Sequence, residues 1–137
     1  MSEINDFNTK IIEEFRANGG KMAGGFDGVP LVLLTTTGAK TGTKRTTPLA
    51  YLPDGDRIVI FASKAGAPTN PAWYHNLLAH PEVTVEVGGE TGPARAEVLT
   101  GEERDRLFAE QVRRVPGFGD YQAKTDRVIP VIALVRH

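Results

Sequence analysis

Leu31-Val32-Leu33-Leu34-Thr35-Thr36-Thr37-Gly38-Ala39-Lys40-Thr41-Gly42-Thr43-Lys44-Arg45-Thr46-Thr47-Pro48-Leu49-Ala50-Tyr51-Leu52 is the stretch whose reading decides the fold. Leu31 to Thr36 is an apolar, β-prone run, and Thr46 to Leu52 is β-type again, so both read as strands. Between them, Gly38 to Arg45 is a turn rich in glycine and in cations. A phosphate-binding P-loop would need G-x-x-x-x-G-K-[ST] at the start of a helix. Here Gly38 and Gly42 enclose only three residues, and Lys44-Arg45 leads into a strand. The turn is therefore not a P-loop. Its glycines could still expose backbone N–H groups beside lysine and arginine charge, which suits an anion. From the turn alone, an exposed hairpin with solvated lysines fits as well.

The charge pattern around the turn is lopsided. From Gly28 to Pro81 the only acids are Asp54 and Asp56, whereas the bases are Lys40, Lys44, Arg45, Arg57 and Lys64, with His75 and His80 in addition. The whole chain carries a formal net charge of −1. The basic half is thus a local feature, and it points to a ligand bearing phosphate or carboxylate groups. The same balance argues against a general nucleic-acid binder.

Flanking segments extend the pattern. Pro53-Asp54-Gly55-Asp56 is a turn signal, and Arg57 to Ala62 is the next strand. Asn70-Pro71 opens a short helix through Ala79, with Asn70 as N-cap and Pro71 at the first helical position. Val83, Val85 and Val87 alternate with polar residues, Gly88-Gly89 turns the chain, and Ala94 to Leu99 returns. Thr100 with Glu103 reads as a capping box starting a helix to about Val115, which Gly117 and Gly119 break. Val131 to Val135 is a last strand behind Pro130. Six strands with hairpin-like links predict a mainly β fold, a mostly antiparallel barrel flanked by helices. Residues 1–25 read as an amphipathic helix and linker, and 26–137 as the barrel domain. Ile4, Phe7, Ile11 and Phe15 give the helix an apolar face for packing on the domain, with contact to a membrane surface through residues 3–18 as the alternative.

Several chemistries are poorly supported. With 137 residues the chain is one domain, and it has no cysteine, so disulfides and thiolate chemistry are excluded. Ser2 and Ser63 are the only serines, and neither stands in a G-x-S-x-G frame. His75 and His80 are five residues apart, not the four that would place both on one helix face, so no metal site is expected. No leader-like or membrane-crossing apolar run is visible, and a cytoplasmic protein, at most peripheral to the membrane's inner face, is expected. A bound cofactor is then the expected carrier of any reaction. Trp73 and Tyr74, in the first turns of the short helix, offer flat surfaces to a conjugated ring, although Trp73 taken alone reads as core.

Thr35 to Gly42 with Arg45 and Pro48-Leu49, then Ala62-Ser63-Lys64-Ala65-Gly66-Ala67, then Asn70-Pro71-Ala72-Trp73-Tyr74-His75-Asn76-Leu77, closely resemble the deazaflavin-dependent nitroreductase family. Asp120 to Arg127 and Ile129-Pro130-Val131 are similar too, so the resemblance runs from about Pro30 to the C-terminal end. It implies a split β-barrel that binds coenzyme F-420, an 8-hydroxy-5-deazaflavin with a phosphodiester and an oligoglutamate tail. It also implies hydride transfer to a quinone-like or nitroaromatic acceptor. By resemblance, Ala39, Lys40, Thr41 and Arg45 hold the phosphate and tail, and Thr46, Thr47, Pro48, Leu49 and Ala50 line the cofactor. Phe61, Ala62, Ser63 and Lys64 approach the ring, while Ala72, Trp73, Tyr74, His75 and Asn76 close its other side. Ser63 and Tyr121 are the candidate catalytic donors. The best-known nitroreductase of the family has three tyrosines, spaced by three, near its substrate. The matching positions here are Val115, Phe118 and Tyr121, which implies quinone reduction over reduction of bulky nitroimidazoles and places Phe118 at the cofactor site. An FMN-binding split-barrel reductase and a non-catalytic deazaflavin carrier are the alternatives. Either a monomer or a homodimer is compatible with the sequence.

Overall fold

The computed structural model describes residues 10, 12–13, 31–63, 70–87, 90–125 and 128–136. In chain order the elements are β1 (Leu31–Thr37), β2 (Lys44–Ala50), β3 (Leu52–Asp54), β4 (Arg57–Phe61), α1 (Ala72–Ala79), β5 (Glu82–Val87), β6 (Glu90–Leu99), α2 (Gly101–Arg114), α3 (Gly117–Ala123) and β7 (Val131–Arg136). The strands form one sheet in the order β2-β1-β5-β6-β7-β4-β3. Every pairing in it is antiparallel.

That order dictates the shape. The two edge strands, β2 and β3, are consecutive in the chain and separated by Tyr51 alone. In a flat sheet of this many strands the edges would lie roughly 28 Å apart. Ala50 and Leu52 can be no more than about 7 Å apart. The sheet must therefore curl until its edges meet at that corner, which gives the antiparallel barrel expected from the hairpin pattern and the split-barrel form that the family resemblance implies.

Alternation along the strands sorts side chains to two faces. Val32 and Leu34 of β1, Ile58 and Ile60 of β4, Val83 and Val85 of β5, and Ile132 and Leu134 of β7 meet inside the curl, with Trp73 and Leu77 of α1. On the outside, Val59 and Phe61 of β4 and Val131 and Ala133 of β7 pack with Leu107 and Phe108 of α2. Leu31 and Leu33 form a third, smaller patch against Ile12 and Ala50. Strands β1, β4 and β7 are thus covered on both faces, which is why their sequences run apolar almost without interruption.

The structure departs from the sequence reading in local detail. Seven strands are present among the described residues, because Thr46 to Leu52 breaks at Tyr51 and Leu52–Asp54 pairs with Arg57–Val59 as a separate strand. Pro71, not Asn70, is the N-cap of α1, with an extended φ of −68° and ψ of 156°. Thr100 caps α2, but no side-chain cap hydrogen bond forms, so the expected capping box is absent. Gly117 and Gly119 end no helical structure; they lie inside α3, which starts two residues after the α2 C-cap Val115. The boundary at residues 25 and 26, and most of the 3–18 helix, fall outside the described residues. Of that helix, Ile12 packs on the barrel wall.

Candidate functional site

The turn between β1 and β2 is held by its own hydrogen bonds. Gly38 N donates to Thr43 O at 2.8 Å, and Gly42 N donates to Gly38 O at 3.0 Å. Thr43 N donates to Thr41 Oγ1 at 3.2 Å. A Cβ at Gly38 would stand 2.7 Å from Thr41 Oγ1, and Gly42 has a φ of +71°, so glycine is required at one position by space and at the other by conformation. These bonds also revise the sequence reading: the glycine N–H groups are spent on closing the turn. What the turn presents outward is side-chain charge.

Lys40, Lys44 and Arg45 are all exposed. Lys44 Nζ donates to the neutral Thr37 Oγ1 at 2.7 Å. Among the described residues, none of the three has a carboxylate partner. Most arginines elsewhere among the described residues differ in this respect. Arg57 is paired with Asp54 and Glu103, and hydrogen bonding to Asp54 raises its pKa above the usual arginine value. Arg95, Arg104, Arg113, Arg114 and Arg136 each have a carboxylate within ion-pair distance.

Asn76 of α1 joins the turn to the barrel. Its Oδ1 accepts from Ala39 N at 3.0 Å, and its Nδ2 lies 3.4 Å from the buried Thr36 Oγ1. Helix α1 is oriented for this by Trp73 and Leu77, which point into the inner core and are 8% and 1% exposed. Tyr74 is half-buried at the edge of that core, its ring 5.8 Å from that of His75. Ala72 and His75 face outward.

Ladder register divides β2. Directly paired residues in an antiparallel ladder share a face. Arg45, Thr47 and Leu49 pair with Thr36, Leu34 and Val32, so they lie on the inner side. Thr46, Pro48 and Ala50 pair with Thr35, Leu33 and Leu31 on the outer side. Thr46 Oγ1 is engaged with Thr35 Oγ1 at 2.8 Å. A ligand against one face of β2 therefore meets alternate side chains of the expected set, not all of them.

The remaining expected residues gather at the end of β4. Ala62 is fully buried in the inner core, and its N–H donates to Pro130 O at 3.0 Å. Phe61 points the other way, with its ring centroid 5.6 Å from Phe118 and 6.1 Å from Phe108. Phe118 in turn lies 5.4 Å from Tyr121. Phe61, Phe118 and Tyr121 thus form one edge-to-face aromatic wall, with Val115 at the α2 C-cap before it. Ser63 follows Ala62 and is half-buried. Lys64 lies outside the described residues.

Three residues that the sequence reading did not single out position these groups. Thr36 is a polar residue in an apolar run, on the inward parity of Val32 and Leu34, and it anchors Asn76. Arg104 and Gln122 bond to each other and to the backbone of Ile129 beside the aromatic wall, contacts that exist only once α2 and α3 are packed on the barrel. Among the described residues no cluster of metal-binding side chains occurs.

The family model described as "F420H(2)-dependent quinone reductase" matches residues 9–136. A quinone reductase of the same description from Mycobacterium tuberculosis is 39% identical over 126 residues, covering 89% of this chain and 85% of the relative. A solved structure titled as an F420-H2 dependent reductase is 43% identical with a TM-score of 0.71, covering 77% of this chain and 93% of that one. A second, described as a domain-swapped dimer, is 38% identical with a TM-score of 0.73, covering 96% and 97%. A likeness to a putative pyridoxamine 5'-phosphate oxidase from Listeria innocua, at 13% identity and TM-score 0.58, concerns the fold alone. This chain belongs to the F420H(2)-dependent quinone reductase family.

Proposed function

We propose that the protein reduces a quinone with hydride from reduced coenzyme F-420, bound with its anionic tail at the β1–β2 turn. The observation that carries the site is the turn's three clustered cations, which lack carboxylate partners among the described residues, whereas six arginines elsewhere in the described chain have one. That arrangement fits a ligand with a phosphodiester and carboxylates.

The coenzyme, when bound, supplies two electrons and one proton as hydride, and a quinone takes these with one further proton to become a hydroquinone. The chain's part is placement and exclusion of water. Lys40 and Arg45 hold the anionic end, with Lys44 beside them, and each charged hydrogen bond contributes about 1.5–3 kcal/mol. Thr47 and Leu49 line the inner side of β2, and Asn76 fixes the turn relative to α1. Phe61, Phe118 and Tyr121 form the wall that receives the acceptor, and the Tyr121 hydroxyl and Ser63 are the donors to the acceptor oxygen as negative charge reaches it.

Fluorescence titration with coenzyme F-420 tests the site. Lys40→Ala combined with Arg45→Ala should weaken binding about a hundredfold or more, from the loss of two charged hydrogen bonds. Unchanged affinity would remove the turn from the site. A parallel titration with FMN is expected to give much weaker binding. A panel of quinones with reduced coenzyme separates an enzyme from a carrier, since a carrier binds without turnover. Homodimer assembly, which one relative's description suggests, is read from the mass in solution. Among the described residues no helix is long and apolar enough to cross a membrane.

A further inference from the structure

Arg104 lies on α2, away from the turn and outside every motif that marks the family resemblance. Its side chain is nevertheless only 13% exposed. Its guanidinium stacks over the Phe108 ring, 4.5 Å from the centroid. Nε and Nη2 both donate to Ile129 O, at 3.2 and 2.8 Å. Nη2 also donates to Gln122 Oε1 at 3.1 Å. That same oxygen accepts from Ile129 N at 3.0 Å. One side chain of α2 therefore clamps the backbone before β7 to the residue following Tyr121 in α3.

The clamp reaches both halves of the aromatic wall. Through Gln122 it sets where α3 sits, and hence Phe118 and Tyr121. Through Ile129 it sets Pro130, whose carbonyl accepts from Ala62 N, between Phe61 and Ser63. A lysine could carry the charge but not the planar fork that reaches Ile129 O and Gln122 Oε1 together. The carboxylate beside Arg104 is the exposed Asp105, 3.2 Å away, so the interior part of the arrangement is made of neutral acceptors.

We propose that Arg104 is a positioning residue for the acceptor: its fork to Ile129 and Gln122 holds Phe61, Phe118 and Tyr121 in register. This rests on the reading that the aromatic wall receives the acceptor. Arg104 touches neither acceptor nor coenzyme and acts through the backbone at Ile129 and the α3 helix. Small displacements of groups that orient a substrate cost turnover heavily, about a hundredfold for a shift near 1 Å.

The test compares Arg104→Lys, Gln122→Leu and Phe118→Ala with wild type. Each is measured for coenzyme F-420 affinity by fluorescence titration and for kcat and KM with menadione, after circular dichroism has established folding. Arg104→Lys and Gln122→Leu should each lower kcat/KM for menadione about ten- to a hundredfold, with coenzyme affinity within about twofold of wild type. The proposal is overturned if Phe118→Ala impairs menadione reduction while both clamp variants match wild type; the wall reading then survives. It is overturned as well if coenzyme affinity falls in step with menadione turnover, because that marks general loosening. If Phe118→Ala also leaves menadione kinetics unchanged, the wall itself is misassigned and the proposal fails with it. Should Arg104→Lys not fold, Gln122→Leu carries the same comparison.

Discussion

Asn76 shows how a single amide can connect two parts of a candidate site. It accepts from the Ala39 N–H and reaches Thr36, so the cationic turn and helix α1 share one anchor. Asn76→Ala should raise the dissociation constant of coenzyme F-420 about fivefold to tenfold, the worth of one ordinary hydrogen bond. Titration of the variant checks this, and lowering the salt should not restore the affinity, since no charge has been removed. Phe118 poses a different question. It stands at a position where the best-known nitroreductase that the sequence resembles has a tyrosine, in contact with Phe61 and Tyr121. Phe118→Tyr should raise turnover of a nitroimidazole relative to menadione, and an unchanged ratio would show that this hydroxyl is not what separates the two acceptors. Asn76 was expected at the site because it lies in the Asn70 to Leu77 motif, and Phe118 because it falls at a position where the similar nitroreductase has a tyrosine. What Asn76 does was not legible, since the partner of its side chain is a backbone N–H 37 residues away.

Alternation made the strands easy to read and their division into faces hard to use. The resemblance implies that Thr46 to Ala50 all line the cofactor, and the pairing register sends Thr47 and Leu49 to the inner face and Thr46, Pro48 and Ala50 to the outer one. Periodicity gives the alternation, whereas the absolute face depends on what β1 packs against. The helices end where the sequence places them, at Ala79 and near Val115, but the capping contacts differ for a related reason. Thr100 and Glu103 have the right spacing for a capping box, but Glu103 is drawn to Arg57 on β4. Helix α2 also carries a clear charge perturbation. Hydrogen bonding to Arg113, with Arg114 adding to it, lowers the Glu110 carboxyl from its ordinary 4.5 to about 2. A carboxylate depressed in the folded state lends stability that is fully present above its unfolded pKa and is lost as pH falls through the folded one. Glu110→Gln should therefore flatten the decline in melting temperature between about pH 4.5 and 2. At neutral pH the change should be small and should shrink further in high salt, since the pair is exposed. Melting curves across that range check both statements.

The molecule as a whole is a sheet whose ends are tied by one residue, and its core lies on both sides of the central strands. The antiparallel barrel was legible because three hairpins announce themselves in turn residues. The strand order was not, since nothing in a linear pattern says that β7 enters between β6 and β4. Ile132 is fully buried on the inner side of that strand. Ile132→Ala should cost about 2–5 kcal/mol in a urea unfolding series, as expected for a truncated core residue. Its neighbour Ala133 faces the opposite core, so enlarging it should also destabilise, by overpacking. The position of β7 bears on the order of assembly. Val59 finds its ladder partner at Ala133, and Val98 finds its own at Ile132. A nascent chain that has been made only as far as α3 therefore holds two bare strand margins with nothing to zip them together. Such an intermediate carries unpaired strand edges that favour aggregation, and refolding from denaturant is expected to be slow compared with a helical bundle of similar length.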